Sequence, residues 1–308
     1  MKSNFYKKKK SILIAGPTAS GKSDLAYCLA KKIKGEIINA DSMQVYKNFP
    51  ILTSQPEKIF KKEIKHHLYN FYNTNDSYNG VLWLKQASLC IQRIYKNDKV
   101  PIVVGGSGLY LEFLLDGIHA IPNVTRTAKD KVCKKLKTIG LNQMYEELKK
   151  IDYKYAKKVS KNDKHRIMRG LEVFYSTKKI ISYYYKKKKM ENNFNFFKVL
   201  LMPKKEIIKE NCQIRFEKMI QKGLISEIEN NKNNVKNCNI VNAIGYKEIL
   251  NFLDNKLNLE DAKKFAINNT RKYAKRQITW FRNRFNADLE ITSKDNNALI
   301  LESFFKIN

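Results

Sequence analysis

Residues 12–23 read Ile12-Leu13-Ile14-Ala15-Gly16-Pro17-Thr18-Ala19-Ser20-Gly21-Lys22-Ser23. Four apolar residues run into a complete G-x-x-x-x-G-K-[ST] phosphate loop, and behind it Leu25, Leu29 and Ile33 recur at i, i+4 and i+8. A buried strand feeding a glycine-bounded turn that opens a helix is the context that separates a working loop from a chance match. Backbone N–H groups at the helix N-terminus converge on an anion, Lys22 adds a point charge, and the Ser23 hydroxyl can ligate Mg²⁺. The stretch predicts a di- or triphosphate site near the N-terminus. It does not identify the phosphate compound.

Two further β-type runs, Glu36–Ala40 and Val100–Val104, end in the turns Asp41-Ser42 and Gly105-Gly106-Ser107-Gly108, with a helical pattern over 81–95 between them. Strands alternating with helices predict a parallel, doubly wound sheet. Ligands of such sheets bind outside the carboxyl ends of the strands, so all three turns should face one cleft. Asp41 there reads either as a general base or outer Mg²⁺ ligand, or as an ordinary turn cap. Gly105–Tyr110 either lets a ligand approach the backbone, with Ser107 donating to it, or is a tight turn that needs glycine anyway.

From about Ile118 the strand-type runs stop. Basic helices are predicted over 126–149, 152–159 and 163–178, and the stretch ends in the low-complexity run Tyr183–Lys189. A strand pattern returns at Phe196–Met202, followed by helices at 204–222, 224–231, 243–253 and 259–285. The expected organisation is an α/β core from 1–118 and 199–308, carrying a helical insertion at 119–198. In that insertion His165 and Arg169 are i, i+4 neighbours, a cationic edge that suits phosphodiester contacts and equally suits plain solvation. His66-His67 has no carboxylate or cysteine at metal spacing and reads as a structural pair. Along Arg271–Arg284, cations interleave with Tyr273, Trp280 and Phe281. Either Trp280 and Phe281 stack on unpaired bases, or Ile278, Phe281 and Phe285 enter the core.

A chain of 308 residues has room for one large α/β domain plus an insertion. Its net charge of +31, from 60 Lys+Arg against 29 Asp+Glu, suits a polyanionic partner, although a composition rich in Lys, Asn, Ile and Tyr spreads lysine over any surface. The five cysteines (Cys28, Cys90, Cys133, Cys212, Cys238) show no metal spacing and are expected to be buried free thiols in a reducing compartment. The basic start Met1–Lys10 precedes only a short apolar run, too short for a signal peptide or membrane span, so a cytoplasmic location and no membrane partner are expected. With no heptad or exposed apolar stripe, a monomer is expected.

Gly16–Ser23, Asp41-Ser42-Met43-Gln44-Val45-Tyr46-Lys47, His66-His67-Leu68, Gly105–Tyr110, His165-Arg166-Ile167-Met168-Arg169, Asn242-Ala243-Ile244-Gly245-Tyr246-Lys247 and Lys275-Arg276-Gln277-Ile278-Thr279-Trp280-Phe281-Arg282 stand in a characteristic order. In order and spacing they resemble the tRNA dimethylallyltransferase (tRNA isopentenyltransferase) family in its bacterial-type form, over about residues 11–285. The resemblance implies a P-loop NTPase-like parallel sheet flanked by helices, with a helical insertion that binds tRNA. It implies transfer of a dimethylallyl group from dimethylallyl diphosphate to N6 of the adenosine 3′-adjacent to the anticodon.

On that resemblance the loop Gly16–Ser23 holds diphosphate rather than hydrolysing ATP, Arg215 reaches the same group, and Ser23 binds Mg²⁺. Asp41 accepts the N6 proton and Ser107 orients or stabilises the reacting groups. The anticodon stem-loop is contacted by Asp41–Gln44, His165–Arg169, Asn242–Lys247 and Lys275–Arg282, and the target base is extruded from its loop. Ser23 and Ser107 stand where the family usually has Thr, Gln55 where it has Lys, and 123–129 departs from the family pattern. The residues alone leave two alternatives. One is a P-loop kinase acting on a small molecule or nucleoside, with Asp41 as base. The other is an RNA-binding protein with a regulatory or vestigial loop.

Overall fold

The strands are β1 (Lys10–Ala15), β2 (Gly35–Asn39), the histidine pair β3 (His66–His67), β4 (Val100–Gly105), β5 (Asn195–Leu201) and β6 (Leu289–Ile291), with consecutive aliphatic or β-branched residues in β1, β2 and β4 and at the end of β5. In the computed structural model, which describes residues 9–74, 78–190, 192–235 and 239–306, they form one sheet in the order β3-β2-β4-β1-β5-β6. Every pairing is parallel, and Ile12 on β1 lies between Ile102 on β4 and Phe197 on β5. Ile12 and Ile14 pack on one face with Leu25, Leu29, Ile102, Ile300 and Phe304. Leu13, Ile38 and Val103, whose side chains point to the other face, are also fully buried. A strand buried on both faces needs no polar alternation, which is why these segments read as continuous apolar runs.

Helices α1 (Lys22–Lys32), α2 (Lys58–Glu63), α3 (Gly80–Lys96) and α4 (Gly108–Asp116) connect the first strands. Then come α5 (Arg126–Ile151), α6 (Tyr153–Ala156), α7 (Lys164–Thr177) and α8 (Ile181–Tyr185). After β5 follow α9 (Lys205–Gln221), α10 (Leu224–Asn231), α11 (Tyr246–Leu253), α12 (Leu259–Arg284) and α13 (Asn297–Lys306). The chain divides into two compact units, Met1–Leu115 with Asn193–Asn308, and Asp116–Asn192. The expected boundary at 198 is therefore too late, because Asn195 already pairs with Lys10 on β1.

The second unit has its own core of Val132, Met144, Leu148, Tyr155, Ile167, Leu171 and Ile181. The helix expected over 126–149 is broken at Gly140, whose φ of 75° and ψ of 170° turn the chain. Lys135 and Glu147, on either side of the break, are joined by an ion pair of 2.7 Å. The helix expected over 152–159 shrinks to α6: Asp152 caps its start, accepting Tyr155 N–H at 3.1 Å, and after Ala156 the bonds tighten to Lys158 N–H on Tyr155 O and Val159 N–H on Ala156 O at 2.9 and 3.0 Å. The same buried carboxylate accepts the N–H and hydroxyl of Ser182 at 2.9 and 2.5 Å.

Cys90 and Cys212 are buried free thiols as expected, but Cys28 and Cys133 are exposed. Cys28 sits on the face of α1 opposite the buried Leu25, Ala26, Leu29 and Ala30. Cys238 and residues 1–8 of the basic start lie outside the described residues.

Candidate active site

The turns after β1 and β2 and the last residues of β4, Val104 and Gly105, line one cavity of about 810 Å³ at the carboxyl edge of the sheet, while Ser107 in the turn after β4 stands outside its lining. Helices α9 and α12 and the segment Asn242–Ile244 close its other sides. At the phosphate loop, Gly21 takes φ 88° and opens α1. Ala19 also takes the left-handed conformation, at φ 63°, a strain of about 1–2 kcal/mol for a residue with a β-carbon. Ser20 N–H donates to Pro17 O at 3.3 Å and the first helical bond is Leu25 N–H to Gly21 O at 3.2 Å. The first-turn N–H groups of α1 have no partner within the helix and are suited to an anion.

The loop is tied down by groups remote in sequence. Gln277 accepts Thr18 N–H at 2.8 Å and donates its own amide hydrogen to Gly106 O at 2.8 Å. Arg215 donates to Thr18 Oγ1 at 2.7 Å and Asn211 to Ala19 O at 3.0 Å. Lys22 donates to Pro17 O at 3.1 Å.

Lys22 and Arg215 keep some contact with solvent, yet their charged ends sit in a cleft that withdraws water. Burial is the main reason the Lys22 ammonium drops to about 8, with Arg215 adding to the fall and Asp41 opposing it. Burial likewise lowers Arg215, against the pull of Cys212 and Asp41. Among the described residues neither cation has a carboxylate within ion-pair distance; their bonds go to a carbonyl and a hydroxyl. The Ser20 hydroxyl oxygen is buried with no hydrogen-bond partner among the described residues. A polyanion would satisfy all three groups at once, which is the fit a diphosphate requires.

Asp41 sits at the end of β2. Its Oδ1 accepts Met43 N–H at 2.8 Å, so the turn-cap reading holds for one oxygen, while Oδ2 makes no hydrogen bond among the described residues. Asn39 fixes this turn. Its Oδ1 accepts Asp41 N–H at 2.8 Å, its amide donates to Asp41 O and Leu68 O at 3.0 and 2.9 Å, and its carbonyl accepts the Trp83 indole at 2.7 Å. Ser107 Oγ accepts Ser42 N–H at 3.0 Å, which brings the third turn to the second. Burial raises the hydroxyl pKa of Tyr69 and Tyr273, and the nearby Asp41 charge raises both further, so these cavity-lining phenols stay protonated.

The protein's own packing requires the glycines at and after the end of β4. A β-carbon would lie 2.1 Å from Ala40 O at Gly105, 2.5 Å from Gln277 Nε2 at Gly106, and 2.6 Å from the Trp280 ring at Gly108. One face of the Trp280 indole thus lies on Gly108, which removes that face from base stacking.

The expected RNA contacts divide by burial. Ile167, Ala243, Gly245, Tyr246, Gln277, Ile278 and Phe281 are buried, so their side chains cannot be RNA-facing atoms. Periodicity explains the helical ones, since Gln277, Ile278 and Phe281 lie on the inward face of α12. Asn242, Lys247, Lys275, Arg276, Thr279 and Arg282 are exposed, and Ser42, Met43 and Gln44 partly so. In the second unit His165 and Arg166 are exposed, and Met168 and Arg169 partly so; Arg166 pairs with Asp163 at 3.4 Å.

His66-His67 is the structural pair expected. His66 Nδ1 bonds Ile64 O at 2.7 Å and His67 Nε2 bonds Glu36 at 2.6 Å. Gln55 is buried and donates to Tyr46 O at 3.2 Å. The sequence does not single out Asn39, Asn211, Tyr69 or Lys294, which reach the site only through the fold. Lys294 follows β6, lies against Gly21 and pairs with Asp24 at 3.1 Å. Among the described residues there is no group of three His, Cys, Asp or Glu able to hold a metal, and no helix long and apolar enough to cross a membrane.

Known proteins resemble this chain over most of its length. The IPP transferase family model matches residues 44–284. The chain belongs to the IPP transferase family. The tRNA dimethylallyltransferase of Rickettsia canadensis (strain McKiel) is 38% identical over 304 residues, covering 97% of this chain and 94% of the relative. That of Pelagibacter ubique (strain HTCC1062) is 40% identical over 288 residues, 92% of each chain.

Among solved structures, the full-length tRNA isopentenylpyrophosphate transferase of Bacillus halodurans matches with a TM-score of 0.68 at 30% identity, over 97% of this chain and 95% of that one. A eukaryotic dimethylallyltransferase acting on tRNA matches with a TM-score of 0.83 at 30% identity, over 97% and 80%. The family and the P-loop NTPase-like fold implied by the motif order are both borne out. This IPP transferase family member places its phosphate loop, Asp41 and Arg215 in one cavity.

Proposed function

We propose that this chain transfers a dimethylallyl group from dimethylallyl diphosphate to N6 of the adenosine 3′-adjacent to the anticodon of tRNA, giving N6-dimethylallyladenosine. The observation that carries the reading is one cavity holding two cations without carboxylate partners and a carboxylate with one unbonded oxygen. An allylic C–O bond ionises readily once its diphosphate is neutralised, so such a site needs a clamp on the leaving group. Lys22, Arg215, the Ser20 hydroxyl and the first-turn N–H groups of α1 supply that clamp.

The N6 lone pair forms the new bond to C1 of the prenyl unit, and the C1–O bond breaks, its electron pair leaving on the diphosphate. The N6 proton passes to Asp41 Oδ2. Ser107, by holding Ser42 N–H, keeps the Asp41 turn in place. Ser23 lines the cleft and fits Mg²⁺, which takes one or two protein oxygens beside phosphate oxygens and water. When bound, the ion supplies further charge neutralisation on the leaving group.

The exposed Lys247, Lys275, Arg276 and Arg282, and in the second unit the exposed His165 and Arg166 with the partly exposed Arg169, hold RNA phosphates. The protein acts as a cytoplasmic monomer. The test is incubation with unmodified tRNA and labelled dimethylallyl diphosphate. Label in RNA is expected, and its loss in Asp41→Ala with tRNA affinity retained. No label, together with ATP-dependent phosphorylation of a small molecule, would establish the kinase reading instead.

A further inference from the structure

Glu227, on α10, plays no part in the chemistry above, yet its carboxylate is largely covered and doubly bonded. Oε1 accepts Ile51 N–H and Oε2 accepts Leu52 N–H, both at 2.8 Å. Burial pushes the Glu227 carboxyl up, against the effect of these two bonds. A carboxylate with one backbone N–H on each oxygen is a strong, directional grip. The gripped turn is held from its other side as well. Gln44 Nε2 donates to Thr53 O and Ser54 O, both at 3.0 Å, and Thr53 Oγ1 donates to Phe49 O at 2.7 Å.

Leu52, Thr53 and Ser54 line the cavity. Leu52 Cδ1 lies 3.3 Å from the position a β-carbon on Gly245 would take, so the same turn backs the Asn242–Gly245 segment. The phosphate loop, by contrast, is tied to Gln277, Arg215 and Asn211.

We infer that Glu227 is a positioning residue for the RNA-facing wall of the cavity. It fixes the turn at 51–54, which sets Asp41–Gln44 through the Gln44 side chain and supports Gly245 through Leu52. The inference rests on the proposed transfer to tRNA and on the RNA contacts that the family resemblance implies for Asp41–Gln44 and for the segment around Gly245, whose exposed members are Asn242 and Lys247. Because the diphosphate clamp hangs on other residues, loss of the grip should impair one substrate and spare the other.

Glu227→Gln tests this in the full chain. The amide keeps one acceptor and turns an N–H₂ towards a backbone N–H, so one bond is lost and the other strained. The kcat/KM for tRNA should fall about 10- to 100-fold. The Kd for inorganic pyrophosphate should stay within about twofold of wild type, and amide hydrogen exchange at Ile51 and Leu52 should accelerate. Glu227→Asp, which keeps the carboxylate, should recover part of the loss, and it carries the same readouts if Glu227→Gln does not fold.

Unchanged kcat/KM for tRNA alongside faster exchange at Ile51 and Leu52 overturns the inference. So does a parallel loss of pyrophosphate affinity, which marks a general stabiliser of the fold. Wild-type protein that transfers nothing to tRNA overturns the proposed function, and the inference with it. Wild-type transfer with an unimpaired Glu227→Gln overturns the inference alone.

Discussion

Alkaline pH should loosen the diphosphate site, and the size of the effect follows from Lys22. Its ammonium is held at about 8 against an ordinary 10.5, chiefly by burial, with Arg215 adding to the fall and Asp41 opposing it. A bound diphosphate favours the charged form and raises that value, so binding takes up a proton wherever the free protein has lost it. About nine-tenths of the free chain carries the charge at pH 7 and about one-tenth at pH 9, so affinity for the proposed donor, dimethylallyl diphosphate, should fall about tenfold between them. The terminal phosphate is ionised above about pH 7 and contributes little to the slope.

Calorimetric titration without tRNA reads the affinity and, in buffers of different ionisation enthalpy, an uptake of about half a proton at pH 8. Lys22→Arg should flatten the profile, because a guanidinium stays charged throughout. The fold itself responds in the opposite sense. Between about 8 and 10.5 the unfolded chain binds more protons at Lys22 than the native one, so stability rises with pH and lost affinity is not unfolding. Constant affinity from pH 7 to 9, or the same slope in Lys22→Arg, would refute the reasoning.

Gly106→Ala puts a β-carbon 2.5 Å from Gln277 Nε2 and 2.9 Å from Gly16 O, so it should dislodge Gln277 from Thr18. We expect a loss of about 1–3 kcal/mol in urea denaturation together with weaker pyrophosphate binding; wild-type values in both would show that the bridge is dispensable. Burial opposes ionisation of Glu36, but hydrogen bonds from Lys99 and His67 outweigh it and hold the carboxyl below its ordinary range. Its contribution is present above the unfolded value of about 4.3 and is lost as pH falls through the folded one, so acid should destabilise wild type more steeply than Glu36→Gln; parallel acid limbs would remove this role. Arg169→Ala and Arg282→Ala should each weaken tRNA binding and lower its salt slope by about 1, measured by filter binding over a salt series. An unchanged slope would take that residue off the phosphate backbone.

The sheet is legible because β1, β2 and β4 are buried on both faces, so their apolar residues stand consecutively, and the buried polar exceptions in β2, Glu36 and Asn39, are hydrogen-bonded. The edge strands β3 and β6, of two and three residues, are too short to carry a period and escaped the reading. Gly140 hid in the same way, since a lone glycine in a basic helical pattern does not announce a left-handed φ. At the site, the three turns could be read because each sits at the end of a strand whose direction the parallel sheet fixes. Asn39, Asn211 and Glu227 could not, because their roles are hydrogen bonds to groups remote in sequence. The RNA segments were recognised as blocks, and only the fold could divide the blocks into inward and outward side chains.

Gln277 stands inside the most basic stretch of α12, yet its amide spans Thr18 and Gly106. Only a side chain that accepts and donates from one planar end can do both: Glu lacks the donor, and Leu lacks donor and acceptor alike. Selection on this position is therefore set by the architecture of the phosphate loop. If relatives keep a glutamine here, that constancy reports the bracing of the phosphate loop against the turn after β4 and not a contact with nucleic acid.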